Sequence, residues 1–142
     1  MEAVVNAKNL RISTKKSYEV CNLIRNKTTE KAKRILSEVI DMQRAVPYKK
    51  FLRDTPHRRG MAAGRYPVKT CYEILRLIKN AEANAQNKGL TKDLVITKIS
   101  ADKGTKIMRY GAKRRARMKN THITIIVQES KKEAKKWLKN KS

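Results

Sequence analysis

The sequence predicts one α+β domain, and three observations predict it. Apolar residues recur at helical spacing in three blocks between residues 13 and 87, the chain beyond Gly89 changes to a period of two, and an almost purely cationic segment lies between two such alternating runs. Helical blocks followed by paired strands are the pattern of an α+β fold rather than of alternating βα units. At 142 residues the chain suits one domain and not comfortably two.

Taken in order, Val4 and Val5 make the first ten residues a short strand. Ser13 offers a helix N-cap, its hydroxyl able to accept a free first-turn N–H. Tyr18, Val20, Leu23 and Ile24 follow at helical spacing, and Asn26 closes that helix. Thr28 or Thr29 caps a second, in which Ala32, Ile35, Leu36, Val39 and Ile40 form one apolar stripe. Residues 13–43 are thus helix, turn, helix. Pro67 suits the first position of the longest helix, where its missing N–H costs nothing. Cys71, Ile74, Leu75, Ile78, Ala81, Glu82 and Ala85 carry its pattern, the small Ala81, Ala83 and Ala85 admit close packing, and Gly89 sits where a left-handed C-cap belongs. Val95, Thr97 and Ile99 share one face of a strand, and Ile123, Ile125 and Val127 one face of its antiparallel partner.

Between the second and third helices, from about Gln43 to Tyr66, periodicity disappears. Pro47, Pro56 and Pro67 fall in or beside this stretch with Gly60 and Gly64, and Lys49, Lys50, Arg53, Arg58, Arg59 and Arg65 face only Asp54. A loop this long inside a small domain is functional or disordered. The reading favoured over a solvated insertion is a loop that orders on a polyanion. A second basic stretch runs from Lys103 to Gln128 without one Asp or Glu. Lys106, Arg109, Lys113, Arg114, Arg115, Arg117 and Lys119 are interrupted there by Ile107, Met108, Tyr110 and Met118, with Gly104 and Gly111 to supply turn or kink geometry. If the two strands extend through it, each arm projects roughly 25–30 Å at about 3.3 Å per residue. An isolated two-stranded ribbon is marginal in water, and like charges facing across it weaken it further. A negatively charged neighbour removes both objections.

Composition agrees. Lys and Arg number 36 against 12 Asp and Glu, a formal net charge of +24. Such a surface repels itself and suits a polyanion, while 39% hydrophobic residues still provide a small core. A nuclear-localisation patch or a solvated basic loop is the plainer explanation of one such run, but the loop, the hairpin and the tail Lys131–Lys141 all carry the same sign. Nucleic acid fits, since each cation that neutralises a phosphate releases counterion. No apolar run reaches membrane-spanning length, and the first ten residues, MEAVVNAKNL, lack the pattern of a secretory signal. The expectation is a soluble intracellular chain with no membrane partner. Cys21 and Cys71 read as buried apolar thiols without ligand spacing, and His57 and His122 as hydrogen-bonding rather than catalytic groups. Glu19, Glu30, Glu38, Asp41, Glu73 and Glu82 are scattered singly on helices, where pairing with nearby Lys or Arg is the ordinary role. Trp137 in the tail either anchors an amphipathic helix with Leu138 or stacks on a base. No phosphate loop or nucleophile elbow is present, so no catalytic residues, metal ligands or cofactor are expected.

The motifs RISTKKSYEV, VPYKK, GRYPVK, NAEANAQNKGL, DLVITKI and THITIIV, in that order from about Asn9 to Glu129, resemble the family of large-subunit ribosomal protein twenty-two, numbered seventeen in eukaryotes. VPYKK and GRYPVK with the basic loop between them resemble its archaeal and eukaryotic branch. The resemblance implies three helices packed on a small antiparallel sheet with a long protruding basic β-hairpin. It also implies a structural rRNA-binding role in the large subunit, with the hairpin lining the polypeptide exit tunnel beside protein four and meeting the nascent polypeptide, and no homo-oligomer. Matched to the family, Arg11, Lys15 and Lys16 are the basic start of the first helix, Lys49 and Lys50 belong to the insertion, and Arg65, Pro67 and Lys69 to the start of the long helix. Arg114, Arg115 and Arg117 answer to an Arg-Ala-x-Gly-Arg element of the return arm, although the run here is KRRARMK and lacks the family's glycine. Only twenty positions separate Asp102 from His122, so the hairpin is short, and Ile107, Met108, Arg109, Tyr110 and Gly111 form its tip. The expected organisation is a core of about residues 1–43, 67–102 and 120–129, a basic insertion at 44–66, a hairpin at 103–119 and a basic tail at 130–142. The rival from another class is a basic DNA-binding or architectural protein using residues 13–43 as a helix-turn-helix.

Overall fold

The computed structural model describes residues 2–90, 93–113 and 115–130. Arg114 and the tail beyond Ser130, with Trp137 and Leu138, lie outside the described residues.

Three long strands make one antiparallel sheet. β1 (Glu2–Leu10) and β4 (Leu94–Lys103) flank β5 (Thr121–Glu129) in the order β1-β5-β4. In β5 the alternation predicted from sequence is realised, with Ile123, Ile125 and Val127 fully buried and the residues between them half-buried. Its neighbours are held in register at Val5↔Ile125 and Ile99↔Ile125. One expectation fails on β4. Thr97 does not share a face with Val95 and Ile99: it is exposed, and the buried residues are Ile96 and Ile99. The ladder shifts register between Ile96 and Lys98, so one extra residue reverses the inside–outside phase along that strand.

Helices α1 (Thr14–Ile24), α2 (Thr29–Ile40) and α3 (Val68–Asn87) pack with the sheet, α3 meeting β1, β5 and both other helices, and α1 lying against β4. Val20, Cys21 and Ile24 of α1, the stripe Ala32, Ile35, Leu36 and Val39 of α2, and Cys71, Ile74 and Ile78 of α3 are buried. The turn after α1 is pinned to β4: Asn26 takes a left-handed φ of 60°, its N–H donates to the Ile96 carbonyl at 3.0 Å, and the Ile96 N–H donates to the Lys27 carbonyl at 3.0 Å. Thr28 caps α2 through its hydroxyl, which accepts from the Lys31 N–H at 3.4 Å. Ser13 stands at the N-cap of α1 without that bond; its carbonyl accepts instead from both the N–H and the hydroxyl of Ser17. Pro67 is one position earlier than expected, the cap residue rather than the first of α3. At the far end of α3, Gly89 has φ 75°, its N–H donates to the Gln86 carbonyl and the Leu90 N–H to the Ala85 carbonyl, both at 2.9 Å. That pair of bonds closes the helix, and Leu90 packs with Ala85 and Ala3 in a small second core. Ala81 and Ala85 are buried as the sequence suggests, but Ala83 faces solvent.

Both cysteines are free and buried, and burial pushes each thiol up from 9.0 to about 12. In an unfolded chain the thiols ionise above pH 9 while the native ones stay protonated. The native state then holds more protons, so stability falls as pH rises from 9 toward 12. Two results are expected. Native protein should not react with a thiol-titrating disulfide at pH 8 until urea unfolds it. Its urea midpoint should also fall further between pH 8 and pH 10 than that of the Cys21→Ala/Cys71→Ala variant.

Candidate nucleic-acid interface

The basic segment between α2 and α3 is not structureless. β2 (Val46–Pro47) pairs with β3 (Gly64–Arg65), the Tyr48 N–H donates to the Ala63 carbonyl at 2.9 Å, and Val46, Tyr48 and Ala63 are buried. Its anchor is Glu19 of α1, only 2% exposed. One carboxylate oxygen accepts the backbone N–H of Lys50 at 2.8 Å and of Phe51 at 2.7 Å, and the other that of Lys49 at 3.2 Å. Three successive N–H groups converging on one point form an anion-binding concavity, and here the chain fills it with its own charge. Glu19 therefore does not pair with a Lys or Arg side chain, as its place on a helix suggested. Near the loop's return, a Cβ on Gly64 would meet the Met61 sulfur at 2.6 Å and the Arg58 Cγ at 3.1 Å, so any larger residue there would push the Met61 and Arg58 side chains aside. The Arg58 guanidinium lies over the Tyr66 ring at 5.9 Å.

The hairpin is built differently. Its root is tied: the Gly104 N–H donates to the Asn120 carbonyl at 3.0 Å, and the Asn120 amide donates to the Thr105 carbonyl and to Asn9 Oδ1, each at 3.0 Å. Gly104 serves close approach rather than a turn, since a Cβ there would meet His122 Nε2 at 3.0 Å. His122 in turn accepts the Asn9 backbone N–H through Nδ1 at 3.1 Å. Beyond the root the arms are joined by the Met118 N–H to the Ile107 carbonyl and the Arg109 N–H to the Ala116 carbonyl, both at 2.8 Å. A single 3-10 turn, Gly111–Lys113, forms the tip, with Gly111 at φ 70°. No residue from 105 to 112, nor from 115 to 117, is buried, and Tyr110 is 91% exposed.

Two concavities gather most of the expected cations at the hairpin root. One, of about 650 Å³, is lined by Arg11 at the end of β1, Lys69 at the start of α3, and Arg109, Tyr110, Arg117 and Lys119 of the hairpin. The other, of about 820 Å³, lies between hairpin and loop; Lys15 and Lys16 of α1, Arg65 of β3, and Lys103, Lys106 and Lys119 border it. Among the described residues they hold together ten cations and one carboxylate, Asp102, whose Oδ2 accepts from the Ser100 hydroxyl. Lys50 lies alongside, its ammonium 4.8 Å from the centroid of the Tyr18 ring and 5.7 Å from that of Phe51. Lys49, Arg53, Arg58 and Arg59 stay on the outer loop, and Ile107, Met108 and Arg115 toward the tip, away from both linings. Sequence reasoning missed Lys103, Tyr18, Phe51 and Leu52 as lining residues. The signal for Phe51 was present: the chain's one phenylalanine directly follows two lysines.

Residues 5–128 match the family described as ribosomal protein L22p/L17e. The chain belongs to this family. Among its relatives, the large ribosomal subunit protein uL22 of Archaeoglobus fulgidus is 44% identical over 103 residues, covering 70% of this chain and 66% of that protein. The uL22 of Methanopyrus kandleri is 41% identical over 132 residues, 86% of this chain and 83% of the relative. That of Methanococcoides burtonii is 41% identical over 127 residues, 84% of each. The match is to the archaeal branch, and within the family the basic loop and hairpin described above fall inside the matched span.

Removing the Glu19 carboxylate leaves three N–H groups without their acceptor. The Glu19→Ala variant should lose about 2 kcal/mol, given about 1–3 kcal/mol per buried polar group left unpaired and partial access of water to this loop. Urea unfolding measures the loss, and limited proteolysis should place the first new cleavage between residues 48 and 63.

Proposed function

We propose that the chain is a structural component of the large ribosomal subunit in the cytoplasm, binding and organising large-subunit rRNA. The observation that carries this reading is the pair of concavities, ten cations to one carboxylate, at the junction of the hairpin and the loop. Phosphates supply the missing charge. Arginine adds a planar fork for phosphate oxygens and a flat face for bases. Arg11, Lys15, Lys16, Arg65, Lys69, Lys106, Arg109, Arg117 and Lys119 are the central contacts, with Lys49, Lys50, Arg53, Arg58, Arg59, Lys113, Arg114 and Arg115 extending them along the loop and tip. The exposed stretch Ile107 to Gly111, expected from sequence as the tip and found to be the outgoing arm that leads into the turn at Gly111–Lys113, lines the polypeptide exit tunnel beside protein four, where the nascent polypeptide passes. The chain is not an enzyme and needs no cofactor for this role.

The helix-turn-helix alternative loses support from α2. Its apolar stripe is buried, and two of its three cations are engaged: Lys33 pairs with Glu82 at 2.9 Å and Arg34 with Glu38 at 3.1 Å. A recognition helix instead needs a free basic face for the major groove.

Two measurements test the proposal. In sucrose gradients of lysate the protein should sediment with large ribosomal subunits; a position at the top of the gradient would contradict it. Affinity for a large rRNA fragment should fall about a thousandfold or more between 50 and 200 mM salt, as six to ten phosphate contacts require. Replacing Arg109, Arg117 and Lys119 by Gln should flatten that salt slope by roughly two to three units.

A further inference from the structure

The larger concavity is not lined only by charge. Tyr18 and Phe51 form part of its wall, their rings perpendicular at 84° with centroids 5.3 Å apart, and Leu52 adjoins them. Both rings are half-buried. Leu52 holds a left-handed φ of 57°, a conformation disfavoured for a leucine side chain. The Glu19 carboxylate, bonded to Phe51 and its two predecessors, keeps the segment in place. Lys15, Lys16, Arg65 and Lys106 line the same concavity.

We infer that this cleft takes one unstacked RNA nucleotide, its base against Phe51 and its flanking phosphates on the lysines and arginine that line it. The inference rests on the rRNA-binding reading and goes beyond it by naming what is bound at this place. A cleft for phosphate alone has no use for an aromatic wall, and a paired helix offers no free base face to fill one. Single nucleotides splayed from a helix present both a π-face and two phosphates, and stack on aromatic side chains in this way. The volume, about 820 Å³, is of the size that holds a small ligand. A T-shaped contact with Tyr18 occupies at most one face of the half-buried Phe51 ring, and the base stacks on the ring surface that remains. Lys50, exposed and drawn over the rings in the free chain, moves from the ring face to a phosphate when the base arrives.

The test uses large subunits carrying the full chain with a benzophenone-bearing phenylalanine at position 51. Irradiation should crosslink it to one unpaired rRNA nucleotide. In subunits carrying Phe51→Ala, the 2′-hydroxyl acylation of that nucleotide should rise severalfold, while Phe51→Tyr should leave it unchanged. Crosslinks only to protein, or to nucleotides within a paired helix, overturn the inference, as does unaltered acylation in Phe51→Ala. If Phe51→Ala fails to enter subunits, the crosslink and Phe51→Tyr decide the matter. Absence of the wild-type chain from large subunits would instead overturn the rRNA-binding reading.

Discussion

A formal charge of +24 on one small domain is the constraint that shapes this molecule. Carboxylates are too few to compensate it, and the fold does not spread them evenly. Among the described residues the ion pairs are Lys33–Glu82, Arg34–Glu38 and Arg44–Glu38, all on α2 and its surroundings. The opposite end receives the surplus. There β1 and β4 end, β5 begins, and α1 and α3 both start, as the pairings of Leu10 and Lys103 with Thr121 show. Arg11, Lys15, Lys69, Lys103, Lys106 and Lys119 are brought together because five chain segments meet at that end. A cationic surface concentrated in this way raises the local potential and draws in a polyanion from a distance.

The two basic extensions meet this constraint by different means. The loop uses one internal anion. Glu19 gathers three backbone N–H groups and thereby sets the course of a segment whose own side chains repel one another. Backbone is fixed in advance, and Lys50, Arg65 and Phe51 are displayed from it. Among its described residues the hairpin has its tied root, at Gly104, Asn120 and Asn9, and beyond it two backbone bonds between exposed arms. Preformed loop and partly supported hairpin divide the cost of binding: ordering entropy falls mainly on the hairpin.

How much of this was legible follows from the kind of signal each element leaves. Helical spacing disclosed all three helices, and the alternation Ile123, Ile125, Val127 disclosed the central strand, because each reports burial of a whole face. Thr97 misled because a bulge changes phase without changing composition. Ser13 and Pro67 were placed within one position of their true roles, which depend on backbone angles that residue type only biases. Glu19 was the deepest miss. A lone acid on a basic helix suggests a surface ion pair, and nothing local reveals that residues thirty positions later fold back onto it. The candidate interface was legible where charge alone defines it, at Lys106, Arg109 and Arg117. It was not where α1, the loop and the hairpin root converge, since convergence is a tertiary fact.

The central claim is that the hairpin takes its stable form from phosphates packed around it, while the core stands without them. Amide hydrogen exchange at Arg109 and Met118, the two donors that join its arms, measures this directly against Ile125 in the core. In the free chain the account predicts rapid exchange at Arg109 and Met118 and strong protection at Ile125, with all three protected once an rRNA fragment is bound. Equal protection of the three amides in the free chain, unchanged by RNA, would contradict it.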